Sequence, residues 1–359
     1  MHPTLFHLGP IPIRSYGFMI MIGFLVAVHL AGRRARKVGA DEEFVLNLGL
    51  LALVVGIIGA RAFFVIHRLP QFLAQPNPVL AMLNIIGGGL EFYGGFLSAV
   101  VAVIIYLRLK KKSIRWYLDI LAPSIMLGLA FGRIGCLLNG CCWGGVTSLP
   151  MAIRFPYFSL PFQHQVFETQ QLAVPGEFLV ASPDRSPDLF HGEILEMTDE
   201  EFQAELETAK PDTPLGAIYG RHHGHLERYG VTLADLRELI ERMDLRSLPV
   251  HPTQLYSSLN AVFISVILGM YFWRRKRHGM VVAWMFVIYP ISRFLLEMVR
   301  TDNAQDTFGL TVSQGVSVAV IPLALLLMWV LHRLPEVSPR AKAEMEAHAA
   351  KQARPVEGK

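Results

Sequence analysis

The chain is short of charge. Only 17% of its 359 residues are Asp, Glu, Lys or Arg, against about a quarter in soluble domains, while 52% are hydrophobic and mean hydropathy is +0.39. An ordinary water-soluble domain is excluded. Cysteine is scarce as well. Cys136, Cys141 and Cys142 are the whole complement, confined to "GRIGCLLNGCCWG" (Gly132–Gly144), which excludes a disulfide-dense scaffold. Their Cys-x4-Cys-Cys spacing lacks the paired C-x2-C of structural zinc and has no second cluster, so no metal is expected. The readings left for them are small apolar fillers around Arg133 and Asn139, or a disulfide from Cys136 to either neighbour. The opening "MHPTLFHLGP" has no basic n-region, so the first apolar run is expected to stay as a helix. No internal repeat suggests an inverted-repeat transporter. A net charge of +4 resides in loops and gives no support for nucleic-acid binding.

What is abundant is long apolar sequence. A bilayer-spanning helix needs about 20 apolar residues. Runs of that kind cover about 16–32, 44–66, 92–107 and 117–138, and, after a polar interval, 254–273, 280–298 and 312–331. The fold class is therefore an all-α integral membrane protein of about seven transmembrane helices. Arg33, Arg34, Arg36 and Lys37 follow the first run; Arg108, Lys110, Lys111, Lys112 and Arg115 follow the third; Arg274, Arg275, Lys276 and Arg277 follow the fifth. Basic loops mark the cytoplasmic side, so the expected topology is N-out/C-in. The chain divides into helices 1–4 with the cysteine-bearing motif (1–156), an extracytoplasmic insertion or small head domain (157–250), helices 5–7 (251–334) and a solvated, disordered cytoplasmic tail (335–359). In the insertion, Thr198 with Glu201 and Thr232 with Asp235 have capping-box spacing and predict two short helices. "RHHGH" (221–225) lacks a Cys or carboxylate at ligand spacing and reads as a solvated loop.

Charged side chains inside spans are costly and mark function. The sixth run ends "SRFLLEMVR", where Arg293, Glu297 and Arg300 at i, i+4 and i+7 are predicted to share one helical face. At about 1.5 Å per residue, Arg293 lies roughly 20 Å along that helix, in the outer part of the membrane. Arg133, in "FGRIG" near the end of the fourth run, is expected at similar depth. One reading of Arg293 and Glu297 is a structural ion pair. The other adds Arg133: two guanidinium forks and one carboxylate leave positive charge suited to a phospholipid phosphate. An enzyme and a lipid carrier both fit this pattern. Tyr16 and Tyr93 are either interfacial anchors or pocket residues. His251, in "HPTQLYSSL" with Gln254 and Tyr256, is either a general base or a helix-start residue. Arg61 either snorkels to the interface or adds to the positive pocket.

The motifs together resemble the prolipoprotein diacylglyceryl transferase family. "GRIGCLLNGCCWG" is similar to its G-R-x-G-N-F-x-N-G-E-x-x-G signature, "SRFLLEMVR" to its Arg-x-x-x-Glu-x-x-Arg helix, "HPTQLYSSL" to HP(S/T)QLYE, and "SYGFMIMIGFLVA" to the W-Y-G-(L/I) opening helix. "GAR" in the second run fits too, and the motifs come in the family's order over all seven runs. The resemblance implies transfer of diacylglyceryl from phosphatidylglycerol to the lipobox cysteine thiol of prolipoproteins, at the outer leaflet of the bacterial cytoplasmic (inner) membrane, without a cofactor. It implies Arg133 and Arg293 as stabilisers of the leaving phosphate, with Glu297 orienting Arg293. Tyr93 or His251 is implied at the thiol proton, and Tyr16, Arg61, Asn139, Gly144, Gln254, Tyr256 and Arg300 around the lipid. The alternatives are a catalytically altered paralogue that binds lipid or lipoprotein, and a lipid transporter. Three departures stand out: Tyr93 where the family has His in S-F-H-G-G, Cys136 and Cys141 where the signature has Asn and Glu, and a longer interval between the fourth and fifth runs.

Overall fold

A computed structural model describes residues 4–8, 11–85, 88–181, 187–209, 213–300 and 309–353. Among them seven helices are long and apolar enough to cross a membrane: Ser15–Lys37, Glu42–His67, Phe92–Leu109, Ile114–Asn139, Thr253–Arg274, Met280–Glu297 and Val312–Arg333. Their bounds fall within five residues of the apolar runs. The protein is a predominantly helical, multi-pass membrane protein. It forms two compact units, one from the described parts of 1–18, 133–256 and 298–304, the other from 19–132, 257–297 and 305–359.

The second unit holds most of the spanning sequence. Ile58, Leu259, Phe263 and Leu323 are each more than 60% exposed, which in water would be an aggregation hazard and in lipid is a solvated surface. With no hydrophobic drive between helices in lipid, close backbone approach matters more. A Cβ on Gly94 would lie 2.4 Å from Phe63, and one on Gly95 would lie 2.8 Å from the Gly56 carbonyl. The second and third spans therefore pack through small residues. A further lock is electrostatic. Asp119, fully buried on the fourth span, accepts the backbone N–H groups of Gly279 (2.7 Å), Val281 (2.9 Å) and Val282 (3.1 Å) and pairs with Arg275 at 3.0 Å. It caps the start of the sixth span, where amides are unsatisfied and the helix dipole favours an anion.

The expectation of a disordered tail is corrected by the helix Pro339–Ala353. Alanine-rich sequence has high helix propensity, and one face is tied down: Ala341 is fully buried, and Glu344 accepts from Lys112 Nζ (2.7 Å) and the Tyr117 hydroxyl (2.6 Å).

The first unit contains the polar interval, which has a core of its own. Phe162, Phe178, Leu189, Phe190, Phe202, Leu233 and Leu236 are its most deeply buried side chains. Thr198 and Thr232 both complete capping boxes, starting Asp199–Thr208 and Leu233–Arg242 as their spacing predicts. "RHHGH" corrects the reading of a solvated loop: it lies inside the helix Pro214–Tyr229. His222 Nδ1 faces the Ile218 carbonyl at 2.8 Å, and Nε2 accepts the His191 N–H at 3.1 Å. His225 Nε2 faces the Glu177 carbonyl at 2.8 Å. His222 thus acts as a neutral core residue, and burial pushes its pKa down from 6.5 to about 4.

Candidate active site

The signature loop is built from the way the fourth span stops. Gly140 takes the left-handed conformation (φ 73°) and its N–H bonds the Leu137 carbonyl, while the Cys141 N–H bonds the Cys136 carbonyl at 3.1 Å. This pair of bonds is a Schellman stop, which needs a residue without a Cβ penalty. The loop that follows is pinned from both sides within the first unit. Thr253 Oγ1 donates to the Cys142 carbonyl (2.6 Å) and Gln254 Nε2 to the Cys141 carbonyl (2.8 Å). Gly144 N–H donates to the His251 carbonyl, His251 N–H to the Gly145 carbonyl and Gly145 N–H to the Val299 carbonyl, each at 3.0 Å. A Cβ on Gly144 would lie 2.6 Å from that of His251, so only glycine fits the crossing.

Residues from four sequence segments are brought together here. Arg133 comes from the last turns of the fourth span, and Arg300 pairs with Gly144 as an antiparallel bridge. Tyr16 lies within electrostatic reach of Arg133 and all three cysteines, and Cys142 within reach of Arg133 and Arg300. The Asn139 side chain reaches the Cys141 thiol. His251 Nδ1 faces the Tyr256 hydroxyl at 3.4 Å. Hydrogen bonds from Cys136 and Cys141, followed by the charges of Arg300 and Arg133, hold the Cys142 thiol below the ordinary thiol range. The arrangement can hold an anion and a thiolate side by side.

Arg300 corrects one expectation. The sixth span ends at Glu297, so Arg300 does not share a helical face with Arg293 and Glu297. The cause is the backbone bond from Gly145 to Val299, which draws 299–300 out of the helix and into pairing with the signature loop.

The other predicted residues belong to the second unit. Arg293 Nη1 and Glu297 Oε2 are 2.6 Å apart, with Glu297 fully buried. Thr311 Oγ1 donates to Glu297 Oε1 (3.1 Å), and Arg293 Nη2 donates to Ser313 Oγ (3.0 Å). Neither Thr311 nor Ser313 was legible as a site residue, although Thr311 with Gln314 carries the signal of a helix start. Arg61 donates to the carbonyls of Met82, Gly88, Gly89 and Ala81 and stacks against Phe64 and Phe72. Four of its bonds are thereby committed to backbone, which is the behaviour of a structural clamp. Tyr93 stands in the first turn of the third span, 52% exposed. Near it in sequence, Glu91 pairs with His67 at 2.8 Å, a dyad that sequence spacing does not reveal.

The family model described as prolipoprotein diacylglyceryl transferase matches residues 3–330. The chain belongs to this family. Its relatives include proteins named phosphatidylglycerol–prolipoprotein diacylglyceryl transferase from Rhodopirellula baltica, 28% identical over 90% of this chain and 73% of the relative, and from Clostridium tetani, 24% identical over 89% and 94%. The protein of that name from Escherichia coli K12 is 27% identical over 93% of this chain and 94% of its own length. The stretch that resembles the family's signature, Gly132–Gly144, covers the end of the fourth span, with Arg133, and the pinned loop that follows Asn139.

Proposed function

We propose that the chain transfers the diacylglyceryl group of phosphatidylglycerol to the lipobox cysteine thiol of prolipoproteins, at the outer leaflet of the bacterial cytoplasmic membrane, with its N-terminus outside and C-terminus inside. The observation that supports this reading is the family match over nearly all the spans, joined to a loop whose Gly144 pairs with Arg300 and whose Cys142 is within electrostatic reach of Arg300 and of Arg133 on the preceding helix. In the reaction the acceptor sulfur attacks the glyceryl methylene carbon, a C–S bond forms, and the C–O bond to phosphate breaks. The electron pair leaves on glycerol phosphate, whose charge rises as it departs. Fixed guanidinium groups stabilise that developing charge. Arg133 and Arg293 take this role, with Glu297 and Ser313 orienting Arg293. His251, its Nδ1 turned to Tyr256, has Nε2 available for the thiol proton.

The test is complementation. Cells depleted of their own transferase and expressing this chain should accumulate lipid-modified precursor, and purified protein should release glycerol phosphate from phosphatidylglycerol when given a lipobox peptide. Protein present in the membrane with neither product would sink the reading and leave lipid or lipoprotein binding without transfer.

A further inference from the structure

The three sulfurs of the chain lie within 4.8 Å of one another. That convergence is built by the backbone. Cys136 sits in the last turns of the fourth span, Cys141 is fixed by the Schellman stop, and Cys142 is turned back by a left-handed conformation (φ 63°) uncommon for a residue with a Cβ. The carbonyls of Cys141 and Cys142 are held by Gln254 and Thr253, so the loop cannot relax without breaking those bonds. All three are thiols and none is in a disulfide. Sequence spacing alone argued against a metal, because it compared these residues with C-x2-C pairs. The fold overrides spacing by folding the loop back over the helix end.

Three sulfurs bound tetrahedrally to zinc at about 2.3 Å stand about 3.8 Å apart, so closing the cluster needs a movement of about an ångström. Structural zinc sites use four protein ligands, whereas catalytic ones use three and keep a position open. Three thiolates on a divalent ion carry one net negative charge, and the guanidinium groups of Arg133 and Arg300 lie within electrostatic reach of Cys142.

The geometry points to a three-thiolate site for a zinc-class d10 cation formed by Cys136, Cys141 and Cys142, whose fourth position takes the acceptor thiol of the prolipoprotein. The second part rests on the proposed transferase reading. A coordinated thiol is deprotonated outright, which supplies the nucleophile without a strong side-chain base. The S–H bond breaks as the metal–sulfur bond forms, and the proton passes to His251 Nε2, its acceptor in the proposed reaction. The bound sulfur then attacks the glyceryl carbon, and the product thioether, a weaker ligand, leaves the metal.

The test uses the reduced full chain in detergent, titrated with cobalt(II). One equivalent should produce a thiolate-to-cobalt charge-transfer band that zinc abolishes. A peptide bearing the lipobox cysteine should strengthen the band, and its serine counterpart should not. Cys136→Ser, Cys141→Ser and Cys142→Ser should each weaken binding by about 100-fold or more. No band in the wild-type protein, one titratable thiol in place of three, or serine variants that bind like wild type would overturn the site. A band indifferent to the cysteine peptide would overturn the fourth position. Transfer at full rate in chelator overturns the metal's part in the reaction, whereas a metal-loaded protein that never transfers lipid counts against the transferase reading instead.

Discussion

Asp119 and Glu297 are both fully buried carboxylates paired with an arginine in the second unit, Asp119 with Arg275 and Glu297 with Arg293. Their other contacts separate them. Asp119 receives three backbone N–H groups from the first turn of the sixth span, so its oxygens complete a helix start. Glu297 receives a side-chain hydroxyl, that of Thr311, and its arginine reaches Ser313. Asp119 completes a helix start, whereas the hydroxyl contact of Glu297 and its ion pair place it where it can orient the Arg293 guanidinium. Arg61 repeats the lesson from the cationic side, because its donors meet carbonyls.

The contrast predicts opposite phenotypes. Asp119→Ala should cost about 3–5 kcal/mol of stability, as removal of one partner from a buried pair does. It should lower the melting temperature in detergent sharply, while the fraction that stays folded keeps its specific activity. Arg293→Ala should do the reverse and lose about 100- to 1,000-fold in transfer rate, the scale of a lost transition-state donor, with normal insertion. Arg133→Ala should match it. An Asp119 variant that melts normally but is inactive would erase the distinction between the two carboxylates.

How much of this was legible follows from how far each feature reaches along the chain. The seven spans were, because length and hydropathy are local. So were the two capping boxes and the Arg293–Glu297 pair, each three or four residues apart. Asp119 and Arg275 meet only when the fourth and fifth spans pack, so no spacing announces them. Arg300 misled because helical periodicity assumes the helix continues, and a backbone bond to Gly145 ends it. The convergence of the three sulfurs was not legible for a related reason: linear spacing says little about sulfurs joined by a reversed loop. "RHHGH" looked solvated because its polarity was counted, whereas His222 satisfies both ring nitrogens internally.

His222 extends the comparison to a backbone-bound group that titrates. Its pKa is about 4 in the fold and 6.5 when released, so the unfolded chain holds more protons between those values. Its stabilisation is complete above pH 6.5 and is lost as pH falls through 6.5 towards 4. At pH 5 the loss should be roughly 2 kcal/mol. Hydrogen exchange on the full chain should show protection of the helix Pro214–Tyr229 falling between pH 7 and pH 5 while the spanning helices hold theirs. Equal loss in both would remove His222 as the cause.

The smallest effect should come from Thr311. Its hydroxyl oxygen accepts the Gln314 N–H as the cap of the seventh span, and its proton goes to Glu297. Thr311→Val removes both bonds, and Thr311→Ser keeps both. The cap is worth about 1 kcal/mol, so valine should lower the melting temperature by only a few degrees. If Glu297 works by orientation, valine should also slow transfer by about 10-fold, the low end for one hydrogen bond to a charged group. The loss should fall on kcat at saturating phosphatidylglycerol, and serine should restore both quantities. A valine variant with reduced stability but unchanged kcat would move Glu297 across to the side of Asp119, as a residue whose task ends when the helices are packed.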